Sequence, residues 1–122
     1  MEKIDKSILE NALAYIGKTV DVIIDRPLGS CHPEFKDMIY QINYGYIPFT
    51  SGGDGEEIDV YIIDYDKPLE RAKVKIIAVI NRFDDNEQKL VGSVSGKDYT
   101  DKEIKEKTLF TEKYFKSEIL RG

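Results

Sequence analysis

Short runs of β-branched residues, separated by turn-forming residues, place the strongest constraint on how this chain can fold. The runs lie at residues 19–25, 38–42, 58–64, 73–82 and 89–94. The apolar stretch 76–80 inside the fourth run predicts a strand that is buried on both faces. Pro27, Gly29 and the Gly-rich segment 51–55 supply turns between the runs. The pattern therefore predicts a small antiparallel sheet or barrel of about five strands.

A helix is expected at each end of this strand region. Ser7 and Glu10 have the spacing of a capping box, and the apolar residues that follow predict a helix over residues 7–16. Thr100 and Glu103 form a second capping box. The helix that follows it is predicted to carry a loose apolar stripe of Ile104, Phe110, Phe115 and Ile119. Two helices and several strands together predict an α+β fold.

Length and charge exclude several classes of protein. The 122 residues fit one domain, which we assign to residues 1–122. The net charge is −5 with both signs mixed along the chain, so nucleic acid is not the expected partner. No apolar run reaches the ~20 residues that cross a bilayer, and the first residues are too charged for a secretory signal. Cys31 stands alone, which suits a reducing compartment, so we expect a cytoplasmic protein without a membrane partner.

Carboxylates gather at two turns. Asp54 and Glu56 point the same way in extended chain, and Asp59 joins them only if the backbone kinks near Gly55. Carboxylate oxygens suit hard divalent cations such as Mg²⁺, but a solvated acidic loop is the preferred interpretation of this segment when it is taken alone. The second acidic turn, residues 84–87, precedes another strand. If the two turns face each other, bound metal would relieve the repulsion between their carboxylates.

Other polar residues allow two interpretations. His32 and Cys31 are more typical of loop residues than of a metal ligand and a nucleophile, since no second histidine is present to act as a base. Tyr40, Tyr44 and Tyr46 are typical of a sheet face, and their alternative role is to donate hydrogen bonds to phosphate oxygens.

The order of these residues resembles that of soluble family I inorganic pyrophosphatases. Asn-Tyr-Gly-Tyr-Ile at residues 43–47, followed by Asp-Gly-Glu-Glu-Ile-Asp-Val at residues 54–60, is similar to the central signature of that family. The resemblance implies that Asp54, Glu56 and Asp59 bind catalytic metals, and that Asp59 also helps to activate the attacking water. It further implies that Tyr44 and Tyr40 are active-site tyrosines.

The resemblance continues toward the C-terminus. Residues 84–90 are similar to the second acidic segment of the family, which implies that Asp84 and Glu87 are metal ligands and Lys89 a phosphate-binding lysine. At the C-terminal end Tyr114 matches a family tyrosine, and Lys116 lies one position later than the family lysine.

The segment between the first predicted strand and Asn43, where the family pattern implies phosphate-binding residues, departs from that pattern. Glu34 and Lys36 occupy it in reversed order, and no arginine follows before Tyr40. Lys36, together with Asp25 or Arg26 near the first strand, is the candidate substitute.

What the resemblance implies is a five-stranded, OB-like antiparallel barrel with an N-terminal and a C-terminal helix. The implied reaction is Mg²⁺-dependent hydrolysis of inorganic diphosphate to two phosphates, with Mn²⁺ as the alternative metal. Because fewer cationic side chains match the family pattern, we expect slower turnover than that of a typical member. The alternative hypothesis is a non-catalytic relative that binds metal and phosphorylated ligands, and an OB-like oligonucleotide-binding module is disfavoured by the negative charge. Bacterial members form homo-oligomers, so self-association remains open for this chain.

Overall fold

Six strands and two helices make up the part of the chain that the computed structural model describes, which is residues 6–50 and 57–121, with only the backbone of residues 6–8. The helices are α1 (Lys6–Leu13) and α2 (Asp101–Glu112). The strands are β1 (Thr19–Arg26), β2 (Asn43–Ile47), β3 (Ile58–Ile62), β4 (Arg71–Arg82), β5 (Gln88–Ser93) and β6 (Ser117–Leu120). No helix in this part of the chain is long and apolar enough to span a bilayer.

The first five strands close into a barrel. Their order is β1-β2-β3-β5-β4, and pairing between β1 and β4 completes the circle. The α+β class and the small OB-like barrel are therefore confirmed. The barrel is mixed rather than wholly antiparallel, because β3 and β5 run parallel and pair Val60 with Leu90.

Strand β4 allows the barrel to close because it is long enough to pair with several neighbouring strands. Its first half pairs with β1, from Arg71 opposite Ile23 to Lys75 opposite Thr19. Its pairing with β5 shifts register between Ile76 and Ala78, an irregularity of the kind that bends a strand. The end of β4 pairs with β6, which adds a sixth strand outside the closed circle.

Two of the predicted elements are wrong in position. Residues 38–42 form no strand; the strand lies at β2 instead, and Ile39 makes only an isolated bridge with Cys31. The backbone of Tyr40 bonds across the loop to Gly29 and Ser30, so it is not available for a sheet ladder. The apolar stripe of the C-terminal helix is also wrong beyond Glu112, because Ile119 lies in β6. The backbone groups of residues 117–120 form their hydrogen bonds with residues 79–82 at the end of β4.

Side chains on the two faces of the barrel strands form two separate cores. Every barrel strand contributes to the first core, which therefore fills the barrel interior, and Ala12 of α1 packs against it. The second core lies between the outer face and α2, where Ile104 is fully buried. Strand β3 divides between them, with Val60 in the first core and Tyr61 in the second. Asp59 has the same parity as Tyr61, so its side chain belongs to the α2 side of the sheet.

Two residues of the Asn-Tyr-Gly-Tyr segment have structural roles. The Asn43 side chain is fully buried, and its Oδ1 accepts hydrogen bonds from the backbone N–H groups of Leu28 and Leu69, each at 3.0 Å. Gly45 lies so close to β1 that a Cβ atom there would be 2.0 Å from the carbonyl oxygen of Ile23. Asn43 therefore ties two loops to the barrel, and Gly45 permits close approach of the strands.

Candidate active site

A cavity of about 1280 Å³ opens on the α2 side of the barrel. It lies between β1, the loop at residues 32–41, β2, β3 and the C-terminal end of α2. Its polar wall contains Asp25, Arg26, Tyr44, Asp59, Arg82 and Lys89. Charged groups of both signs therefore lie together on one wall of the cavity.

Lys89 is the centre of this polar wall. Its Nζ donates to Asp59 Oδ2 at 2.5 Å and to the Tyr44 hydroxyl at 3.0 Å, and it lies 3.2 Å from Glu87 Oε2. The parallel register explains the first contact: Val60 pairs with Leu90, so Asp59 and Lys89, one residue earlier on adjacent strands, project side by side. The geometry thus joins residues that are 30 positions apart in the sequence.

Lys89 and Tyr44 keep their ordinary protonation states at neutral pH. Burial lowers the pKa of Lys89, but the Asp59 and Glu87 carboxylates outweigh it and the net shift is upward. Burial and the nearby Asp59 carboxylate both raise the pKa of Tyr44 well above its usual value. Lys89 therefore stays a cation and Tyr44 stays a protonated phenol.

Asp25 provides a second carboxylate on the same wall. Burial raises its pKa, the adjacent Arg26 opposes that rise, and the negative charge of Asp59 adds to it. Asp25 and Asp59 are therefore close enough to feel each other's charge.

Arg82 is a functional candidate that the sequence analysis missed. Its Nε donates to Glu112 Oε1 at 3.0 Å, its Nη2 lies 2.5 Å from Glu112 Oε2, and its Nη1 lies 3.1 Å from both Asp85 and Glu87. The Arg82 side chain is 6% exposed, and the Glu112 side chain is 7% exposed. No sequence signal marks this role, because a charged residue two positions after the apolar stretch 76–80 is typical of the start of a solvated turn.

Glu112 links this arginine to α2 and to the second core. Its Oε2 accepts a hydrogen bond from the Tyr61 hydroxyl at 2.6 Å, and the Phe115 ring centroid lies 3.8 Å from the guanidinium carbon of Arg82. Burial lowers the pKa of Arg82, but Glu112 outweighs it and the net shift is upward. The network therefore fixes the end of β4 against the end of α2, next to Lys89.

The tyrosines of the site are also connected. Arg26 Nη1 donates to the Tyr40 hydroxyl at 2.9 Å, and the Tyr40 ring centroid is 5.6 Å from that of Tyr44. Tyr40 is 3% exposed, so its ring belongs to the wall of the cavity rather than to its opening.

Most of the site residues predicted from the sequence and described by the structure lie together. Those at the inner polar wall are Arg26, Tyr40, Tyr44, Asp59 and Lys89, and Glu87 contacts this wall through Lys89 Nζ, 3.2 Å from its Oε2. Lys36 and Tyr114 line the exposed part of the same cavity. Asp84 and Lys116 are exposed and are not among the described lining residues. Asp54 and Glu56 lie outside the described residues.

The described carboxylates are of the type that binds a divalent metal, but too few of them lie together to form a metal-binding group. Asp59, Asp25 and Glu87 offer the oxygen donors that Mg²⁺ or Mn²⁺ prefers. Among residues 6–50 and 57–121, no three His, Cys, Asp or Glu side chains come together as a metal-binding group.

Comparison with known proteins decides the family. The family model described as inorganic pyrophosphatase matches residues 18–118. The chain belongs to the inorganic pyrophosphatase family. This result confirms the resemblance seen in the sequence and assigns the enzyme class of an inorganic diphosphatase. A comparison with curated proteins found no match.

Solved structures with related folds include three bacterial inorganic pyrophosphatases. The one from Ehrlichia chaffeensis has a TM-score of 0.67 and 23% identity, and the match covers 84% of this chain and 85% of that chain. The one from Neisseria gonorrhoeae has a TM-score of 0.64 and 24% identity, covering 80% and 74%. The one from Helicobacter pylori has a TM-score of 0.65 and 18% identity, covering 88% and 86%. At these identities the likeness establishes the fold.

Proposed function

We propose that this member of the family hydrolyses inorganic diphosphate to two phosphates in a Mg²⁺-dependent reaction, with Mn²⁺ as the alternative metal. The observation that carries the proposal is the placement of Lys89 Nζ between the Asp59 carboxylate and the Tyr44 hydroxyl on the cavity wall. A phosphate-binding cation and a carboxylate able to accept a proton are thus side by side. The proposal takes residues 1–122 as one catalytic domain that acts in the cytoplasm on a small molecule, without nucleic acid or membrane.

The metal would be held by carboxylates around Asp59. Asp59, Glu87 and the exposed Asp84 are the described candidates, and Asp54 and Glu56 complete the proposed set. When bound, the metal supplies positive charge to the phosphate oxygens and makes water more acidic. Asp59 orients the attacking water and accepts its proton.

Lys89 must exchange partners when the substrate binds. A lysine ammonium has three N–H donors, and three groups, Asp59, Glu87 and Tyr44, already lie within 3.2 Å of Nζ. A phosphate oxygen therefore takes the place of one of them. The neutral Tyr44 hydroxyl is the easiest to displace, because its loss breaks no ionic contact. The Tyr44 hydroxyl then donates to the same phosphate group.

The remaining cations are arranged more loosely. Arg26 is held by Tyr40, while Lys36 is exposed at the opening of the cavity together with Tyr114. Each charge-assisted contact missing from the transition state costs about 1.5–3 kcal/mol, or roughly ten- to a hundredfold in rate. We therefore expect turnover slower than that of a family member with a complete set of cations.

Phosphate release from diphosphate at saturating Mg²⁺ tests the proposal. Asp59→Asn should abolish the reaction while leaving the protein folded, because Asp59 is not part of either apolar core and Lys89 keeps its contact with Glu87. Asp21→Asn is the matched control, since Asp21 is exposed on β1 and is not among the described lining residues. Hydrolysis by Asp59→Asn at the unchanged rate would refute the role of Asp59.

A second candidate function is binding without turnover. It is favoured by one observation: Asp59 and Glu87 are both already paired with Lys89. In that case calorimetry would detect diphosphate or metal binding, while the same assay would detect no phosphate release. A protein that neither binds nor hydrolyses diphosphate would contradict both functions.

A further inference from the structure

The cavity has two chemically different ends. Its inner end carries the charges of Asp59 and Lys89. Its outer end carries exposed apolar side chains: Phe35 is 60% exposed, Ile39 48% and Tyr114 63%. The volume of about 1280 Å³ exceeds the ~300–1,000 Å³ typical of small-molecule sites. A diphosphate ion would occupy the inner end and leave the apolar end without contacts.

A continuous series of aromatic rings connects the two ends. The ring centroids of Phe35 and His32 are 5.0 Å apart, and those of His32 and Tyr40 are 6.3 Å apart with nearly parallel planes. Tyr40 and Tyr44 are 5.6 Å apart, and the Tyr44 hydroxyl lies 3.0 Å from Lys89 Nζ. A ligand that binds Lys89 through phosphate can therefore extend along an aromatic wall to Phe35.

Phe35 is held in place by hydrogen bonds within its loop. His32 Nδ1 accepts from the backbone N–H groups of Glu34 at 3.0 Å and Phe35 at 3.2 Å. The Phe35 carbonyl accepts from the N–H of Met38 at 2.8 Å, and the Met38 carbonyl accepts from the N–H of His32 at 2.9 Å. The loop thus presents an exposed ring from an ordered backbone, which lowers the entropy lost when a ligand packs on it.

We propose that the site also binds and hydrolyses a nucleoside diphosphate, with the diphosphate at Lys89 and the base against Phe35. This inference rests on the proposed function, because it uses the same inner end of the cavity. A flat base matches the exposed Phe35 ring, and stacking of bases on aromatic side chains tolerates different bases. Arg26, Lys36 and Lys113 line the same cavity and offset the charge of the ligand.

The reaction follows the same course as that of diphosphate. The water oxygen forms a bond to the terminal phosphorus, and the bond from that phosphorus to the bridging oxygen breaks. The electron pair of that bond leaves with the nucleoside monophosphate. The proton of the water passes to Asp59 and then to solvent. The products are inorganic phosphate and a nucleoside monophosphate.

Steady-state kinetics with ADP and diphosphate, both at saturating Mg²⁺, test the role of Phe35. Phe35→Ala should raise the KM for ADP about five- to tenfold, the lower range for one lost stacking contact, and leave the diphosphate kinetics unchanged. Phe35→Trp should retain the ADP kinetics. Phe83→Ala is the matched control, because Phe83 is 58% exposed and is not among the described residues lining the cavity.

Calorimetry with α,β-methylene ADP, which cannot be cleaved between its phosphates, measures binding independently of turnover. We expect binding that Phe35→Ala weakens by the same five- to tenfold and that Phe83→Ala leaves unchanged. Hydrolysis of diphosphate without binding of this analogue would overturn the inference but leave the proposed function intact. Equal effects of Phe35→Ala and Phe83→Ala, or an equal effect of Phe35→Ala on diphosphate and ADP, would also overturn it. If the protein hydrolyses neither substrate, the proposed function fails, and the calorimetry still decides whether nucleotide binds at Phe35.

Discussion

Neutralising Glu112 should destabilise the fold more than any change to an exposed carboxylate. Glu112 accepts hydrogen bonds from Arg82 Nε at 3.0 Å and from the Tyr61 hydroxyl at 2.6 Å, and it forms a buried ion pair with Arg82. Removing one partner of a buried ion pair costs about 3–5 kcal/mol, because the other charge stays buried. In Glu112→Gln, Arg82 keeps contacts with Asp85 and Glu87. We therefore expect the lower end, about 3 kcal/mol.

Urea denaturation measures this loss. With a slope of about 2 kcal/mol per molar urea, the expected loss moves the unfolding midpoint by roughly 1.5 M. Glu106→Gln is the matched control on the same helix, and since Glu106 is exposed we expect a change within about 0.5 kcal/mol. Equal midpoints for the two variants would refute the argument, because they would mean that the Arg82 contact contributes nothing beyond a surface charge.

Two further predictions follow from burial. Gly45→Ala should destabilise the barrel by more than about 3 kcal/mol, because its Cβ would lie 2.0 Å from the Ile23 carbonyl oxygen; a urea midpoint close to that of the unchanged protein would contradict this. Burial, strengthened by neighbouring carboxylates, raises the pKa of Tyr44 and of Tyr61 well above the usual value. Above pH ~10 the unfolded chain loses these protons while the folded protein keeps them, so the free energy of unfolding should be unaffected by them below that pH and fall as pH rises past it. Urea midpoints measured from pH 8 to about pH 11 check this, and a flat profile would be inconsistent with buried, protonated tyrosines.

Local sequence patterns predicted the elements whose signals are local. The alternation of residues 58–62 separated Val60 from Tyr61 as the structure does, and the Thr100 capping box begins α2 as expected. The strand assigned to residues 38–42 was wrong because β-branched and aromatic content does not reveal which segment of the backbone pairs with neighbouring strands. Residues 43–47, with a glycine at their centre, are the ones that lie between β1 and β3.

The same reasoning explains which site residues could be found. The family signature led to Tyr44, Asp59 and Lys89, and the structure brings these three together. Arg82 and Glu112 were missed because their contact joins residues 30 apart, on a strand and a helix that have no pattern in common. A single charged residue after an apolar strand looks like the start of a solvated turn. Only the packed structure shows it buried.

The parallel pairing of β3 with β5 has a consequence for refolding kinetics. Tyr44 and Asp59 lie on the β2–β3 pair, while Lys89 lies on the β4–β5 pair, and each pair joins strands that follow one another in the sequence. The parallel pairing of residues 60–62 with residues 90–92 joins the two pairs directly, and it closes a longer stretch of chain at a higher entropic cost. Non-local pairing of this kind forms slowly. Lys89 therefore reaches Asp59 only when the two halves have joined, and the proposed binding of phosphate at this site should return with the slow, non-local phase of refolding rather than with the early hairpins.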